Sequence, residues 1–234
     1  MPTSEENQIK QRLGEINGRI SAAAIRAGRT AADITLVAAT KTQSAETVRA
    51  AINAGIRVCG ENRVQEFVEK SEQNAYFGAE IHFIGSLQTN KINKLVGQVG
   101  LIQSVPGEKA LRLISARAGE LSLIQDVLLE VNIGAEDAKH GFLPESLPQG
   151  LATAAQLPNI RVLGLMSIPP AEGDRKAAFW FEKCRELFEK CAEYTAENVQ
   201  MRILSMGMSD SFERAIECGS NMVRIGTSLF GKRK

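Results

Sequence analysis

The chain has only four cysteines, Cys59, Cys184, Cys191 and Cys218, and no two of them form a CxxC pair. That pattern excludes a disulfide framework of the secreted kind and leaves structural thiols in a reducing compartment. Histidine is scarcer still: His82 and His140 stand 58 residues apart, a poor basis for a zinc site of His and Cys. An excess of one charge is lacking as well, since 28 Lys and Arg face 27 Asp and Glu for a net +1. No strong field therefore favours nucleic acid or an anionic membrane, and any anion site has to be local. No apolar run approaches the roughly 20 residues of a membrane span, and the amino terminus is polar with no signal-like core. The expectation is a soluble, cytoplasmic protein without nucleic-acid or membrane partners. No Gly-, Ser- or Pro-rich linker and no low-complexity segment divides the 234 residues, so one domain over 1–234 is the economical reading.

What is there is a repeated alternation of helical and strand patterns. Residues 5–27 carry Ile9, Leu13, Ile16, Ile20 and Ala24 at steps of three and four, the stripe of an amphipathic helix ahead of the first strand. Apolar, β-branched runs follow at 34–40, 56–60, 80–85, 100–105, 122–133, 160–168, 201–206 and 221–226. Helices are predicted over 44–54, 61–70, around 90–96, and over 108–118, 145–156, 174–196 and 210–218. Ser44 and Gly55 suit the two ends of the second helix, and Cys184 and Cys191, seven apart, share one face as packing residues. Eight strands alternating with helices match an α/β fold, a single (β/α)8 TIM-type barrel with an additional N-terminal helix. A doubly wound open sheet is the alternative, because sequence does not show closure.

In a barrel the loops at the carboxyl ends of all strands meet at one mouth. Lys41 directly follows the run ITLVAAT, where a lysine either snorkels to water or forms an imine with a carbonyl. After the second strand, Glu61 and Asn62 are a polar pair at the mouth, with Glu66 placed on a solvated helix face. SMGMSD and RIGTS read as parts of a phosphate cup. Ser209, Thr227 and Ser228 offer hydroxyls, and Gly226 lets the backbone approach an anion. Arg224, in an otherwise apolar strand end, needs either an anion or a carboxylate such as Glu61. Met206 and Met208 read as core fillers.

Taken together, VAATKT, GENRVQE, HFIGSLQTNK, LSMGMSDSFERAI and GSNMVRIGTSLFG span essentially the whole chain. In order and spacing they resemble the pyridoxal phosphate homeostasis proteins, single-domain barrels similar to the amino-terminal domain of alanine racemase. The resemblance implies pyridoxal 5′-phosphate as cofactor, held as an imine on Lys41, with its phosphate on Ser209, Gly226 and Thr227 and its pyridine nitrogen facing Arg224. Asn62 joins these as a cofactor-binding candidate, and Lys139 in DAKHG matches a family lysine in a flexible loop. The chain departs from the pattern at Ile81, where the family has an aromatic, and at Gln43, which removes a basic residue next to the site.

An arginine at the ring nitrogen weakens the cofactor's electron sink, which works best when a carboxylate keeps that nitrogen protonated. Racemisation, the easiest chemistry left, needs a base on each face, and the only tyrosines, Tyr76 and Tyr194, fall in segments predicted away from the mouth. The expected function is therefore non-catalytic: a monomer that holds, buffers or delivers the cofactor, with transient acceptor enzymes as partners. Two alternatives stand beside it. One is a racemase using water or Lys139 as second base; the other is a barrel for a different phosphorylated ligand, with Lys41 merely electrostatic.

Overall fold

The computed structural model describes residues 3–170 and 174–231, so the outermost residues of the expected 1–234 domain lie outside the described residues. Helix α1 (Ser4–Arg26) comes first, capped by Thr3, whose Oγ1 accepts the Glu6 amide at 3.1 Å. Its stripe of Ile9, Leu13, Ile16, Ile20, Ala23 and Ala24 is buried. The eight strands are β1 (Thr35–Ala39), β2 (Val58–Glu61), β3 (Glu80–Phe83), β4 (Leu101–Val105), β5 (Gln125–Val131), β6 (Ile160–Ser167), β7 (Val199–Ser205) and β8 (Met222–Ile225). All neighbours pair in parallel in chain order, and β8 closes on β1 through Thr35↔Met222 to Ala38↔Ile225. The open-sheet alternative is thereby excluded.

Between and after the strands run α2 (Ala45–Ala54), α3 (Val64–Glu72), α4 (Glu108–Glu120), α5 (Leu147–Ala155), α6 (Asp174–Ala192), α7 (Phe212–Glu217) and α8 (Thr227–Phe230). Ser44 caps α2 by accepting the Thr47 amide at 3.1 Å, and Gly55 ends it at φ 122°. The segment expected as a helix around 90–96 is instead a 3-10 helix over Thr89–Lys94. Two asparagines, which favour local turns over helix interiors, and Gly97 at φ 77° confine it to short i→i+3 bonds such as Leu95 N–H to Ile92 O.

Two apolar layers result. One fills the space between barrel and helices, and Cys184 and Cys191 are buried in it as expected. The other lies inside the barrel: Val37, Val58, Leu101, Leu128, Met166 and Met222. Because successive strand residues point to opposite faces, these inward residues fix the parity of everything that follows toward the mouth. Among the described residues, α1 closes over α2, α7 and α8, pinned by Arg19–Glu213 and Arg26–Glu217 ion pairs, both 2.7 Å. No described helix is long and apolar enough to cross a membrane.

Candidate functional site at the barrel mouth

Parity carries Val37 and Ala39 to Lys41, Val58 and Gly60 to Asn62, Leu128 to Glu130, and Met222 to Arg224. The Glu130 and Arg224 side chains therefore belong to the interior, whereas Lys41 and Asn62 lie just past their strands, at the carboxyl end. Asn62 Oδ1 is buried without a hydrogen-bond partner, as is Oε2 of Glu130. Together with Ser86, Asn132, Lys139 and His140 they line a cavity of about 230 Å³. Gly85 is required at its wall, since a Cβ there would sit 1.9 Å from the Asn62 carbonyl oxygen.

Glu61 and Asn62 do not form the mouth pair expected of them. Adjacent strand residues face opposite ways, so Glu61 is fully buried on the outer side of the wall, against α3. Its Oε1 accepts from Thr40 Oγ1 (2.6 Å), Lys70 Nζ (2.7 Å) and Tyr76 Oη (2.9 Å). Burial, and the carboxylate beside it, push the Tyr76 phenol far up. Lys70 Nζ also donates to the Thr40 carbonyl at 2.8 Å. Glu66, expected to face solvent, accepts the Thr42 amide at 2.7 Å, and Thr42 is held at φ 63°, a left-handed conformation rare for a β-branched residue. Both neighbours of Lys41 are thus clamped from behind by α3 and β2.

The cup forms where β7 and β8 end. Arg224 N–H donates to the Gly207 carbonyl at 3.1 Å. Gly207 has φ 95°, and a Cβ on it would lie 2.5 Å from that of Ala215. Ser209 Oγ then receives the amides of Gly226 and Ser228, both at 3.3 Å, while Thr227 between them is exposed. These long bonds leave a hydroxyl and two convergent N–H groups at one point, a local arrangement suited to an oxyanion. Met206 is buried as expected of a core filler, whereas Met208 is 45% exposed, on the loop above the cup.

Arg224 is 4% exposed and makes no ion pair with Glu61, whose charge is taken up by Lys70. Its Nη1 donates to Ser205 Oγ at 2.6 Å and its Nη2 to the Ser167 carbonyl at 3.0 Å. Burial pulls the guanidinium down to about 10, against the favourable field of Glu130. The Glu130 carboxyl is pushed up to about 7 by desolvation, with Arg224 opposing. Sequence reasoning passed over Glu130, although a carboxylate in phase with Leu128 inside the apolar run VLLEV was a visible signal. The thiols take no part: burial raises Cys59 to about 12 and Cys184 and Cys191 to about 11, far from the thiolate form. Lys139 bridges Glu136 and the Ile168 carbonyl at the cavity rim.

The site fits a phosphorylated pyridine aldehyde. A lysine held at the rim, an oxyanion cup, a fixed guanidinium and two orphaned buried acceptors stand at one end of one barrel. The sequence matches the family described as alanine racemase, N-terminal domain, over residues 19–234. It is 46% identical over 226 residues to the pyridoxal phosphate homeostasis protein of Aquifex aeolicus, covering 96% of this chain and 98% of that one. Its identity to the protein of that name from Escherichia coli K12 is 39% over 231 residues, 97% of each chain. Among solved structures, PipY of Synechococcus elongatus with PLP bound superposes with a TM-score of 0.82 at 29% identity, covering 95% of this chain and all of that one. The motifs, the closed barrel and these full-length matches agree, and the chain belongs to the pyridoxal phosphate homeostasis protein family.

Proposed function

We propose that this chain is a non-catalytic pyridoxal 5′-phosphate carrier of cytoplasmic cofactor homeostasis, a single-domain monomer that holds the cofactor as an imine on Lys41 and buffers it or yields it to acceptor enzymes. The observation that carries the reading is the mouth itself: the clamped Lys41, the Ser209–Gly226–Ser228 convergence and the two unpartnered buried oxygens of Asn62 and Glu130. Ser209, Gly226 and Thr227 bind the phosphate, Arg224 faces the ring nitrogen, and Asn62 borders the ring. The bound cofactor supplies an electron-sink ring, and a cationic neighbour keeps that sink weak.

The absence of catalysis is supported by the fate of the acid–base groups. Tyr76 is buried behind the wall on Glu61, and Tyr194 follows α6, so neither described tyrosine borders the cavity. Sodium borohydride reduction of the cofactor-loaded protein, followed by peptide mapping, tests the assignment. A phosphopyridoxyl group on Lys41 is the expected result; an adduct only elsewhere, or none, overturns it. Racemisation of any free amino acid well above the rate given by free cofactor overturns the non-catalytic part alone.

A further inference from the structure

The interior of a (β/α)8 barrel is normally filled by layers of branched apolar side chains. Here a polar thread runs through it. Arg224 Nη1 donates to Ser205 Oγ at 2.6 Å, and the Ser205 hydroxyl donates to Gln103 Oε1 at 2.7 Å. The Gln103 amide nitrogen meets His82 Nδ1 at 2.9 Å, and His82 Nε2 meets Glu80 Oε1 at 2.9 Å. Gln103 and Ser205 are wholly buried and His82 is 3% exposed, whereas Glu80 opens β3 at the far end of the barrel with its side chain 56% exposed. Gly100 makes room for it, since a Cβ there would lie 2.5 Å from Glu80 Oε1.

The donors and acceptors of this thread are fixed by elimination. A guanidinium can only donate, so Ser205 Oγ accepts from it and spends its one proton on Gln103 Oε1. That orients the amide, whose nitrogen can only donate, so His82 Nδ1 is the acceptor and its proton resides on Nε2, directed at Glu80. Every hydrogen bond runs the same way, from the cation at the mouth to the carboxylate at the opposite end. Reversing the Gln103 amide would present a donor to Ser205 and leave the hydroxyl proton without its acceptor.

We propose that Gln103 is a positioning residue for Arg224: through Ser205 it locks the guanidinium in the orientation that faces the ring nitrogen, and His82 and Glu80 anchor it from the far end of the barrel. The part that concerns the ring nitrogen rests on the function proposed above; the thread itself does not. The ligand-free protein, labelled with 15N, is the first arm. His82 should show a pyrrole-type Nε2 and a pyridine-type Nδ1, and Ser205→Ala should shift both signals through Gln103. Unchanged His82 signals in Ser205→Ala, or the proton on Nδ1 in the unmodified protein, overturn the thread.

The second arm uses pyridoxal phosphate carrying 15N in its ring. Gln103→Leu should weaken binding roughly three- to tenfold, as for one lost orienting hydrogen bond, and shift the ring-nitrogen resonance. Gln103→Glu retains an acceptor for Ser205 but removes the donor to His82, so its ring-nitrogen signal should stay near that of the unmodified protein while the His82 Nδ1 signal shifts. It also keeps the test open if the leucine variant fails to fold. A folded Gln103→Leu protein with unchanged affinity and ring-nitrogen signal overturns the positioning role. If the unmodified protein binds no pyridoxal phosphate, the proposed function fails, and the ligand-free arm still decides the thread.

Discussion

Two buried polar networks flank the mouth, and they are built on opposite principles. Outside the barrel wall, Glu61, Lys70, Thr40 and Tyr76 form a compact cluster around one carboxylate, with the opposite charges 2.7 Å apart. Inside, Arg224 is joined to Glu80 only through Ser205, Gln103 and His82, across the length of the barrel. The outer cluster, with Glu66 beside Lys70 on α3, grips backbone on both sides of Lys41, so its failure should be felt as lost stability. The inner thread orients one side chain, so its failure should be felt mainly by the ligand. A lysine and an arginine at one mouth are thus held by different physics: paired charge in one case, directed hydrogen bonding in the other.

The sharpest way to separate scaffold from site is Lys41→Ala. It should abolish the imine absorbance with pyridoxal phosphate while leaving the thermal midpoint nearly unchanged, because a rim side chain adds little to the core. A protein that unfolds would make Lys41 part of the scaffold. Lys70→Met should do the reverse, destabilising by about 3–5 kcal/mol in urea titrations, since it strands the fully buried Glu61 charge. Adding Glu61→Gln should recover much of that loss; no recovery would show that the ion pair is not the source.

Glu130→Gln probes the inner side through pH. The Glu130 carboxyl is raised from 4.5 to about 7 in the folded chain, so the folded protein binds a proton that the unfolded one has shed, and stability falls as pH rises between those values. The ligand-free variant should therefore gain on the order of 3 kcal/mol at pH 8 and almost nothing at pH 4. An equal gain at both would refute the shift. Ser209→Ala and Thr227→Val should each weaken pyridoxal phosphate by about 1–3 kcal/mol in titrations, as for charge-assisted bonds lost at an anion site. The smallest effect expected is from Thr42→Gly, a gain of about 0.5 kcal/mol as relief of the left-handed strain narrowly outweighs the added chain entropy.

Alternating patterns in the chain anticipated the eight strands and nearly all the helices, because burial on both faces of a strand and on one stripe of a helix is written locally in residue type. Two segments depart from it: the four-residue α8 was not anticipated, and Thr89–Lys94 lies in a segment too short and too rich in asparagine for periodicity to choose between helix types. Lys41, Asn62, Ser209, Arg224, Gly226 and Thr227 were each visible as residues following or ending a strand, and the structure gathers them at one barrel end. What sequence mistook were partners. It offered Glu61 to Arg224 and left Glu66 to solvent, whereas one faces Lys70 and the other holds Thr42.

The sequence by itself determined the order of strands and helices, the carboxyl-end placement of Lys41 and the family to which the motifs point. Only the tertiary structure decided that β8 closes on β1, that Glu61 and Asn62 part to opposite sides of the wall, and that Gln103 and His82 join Arg224 to Glu80. The reason is one of range. Local patterns record which residues are buried, but a hydrogen bond between Gln103 and Ser205, 102 positions apart, exists only once closure brings their strands to face each other across the barrel.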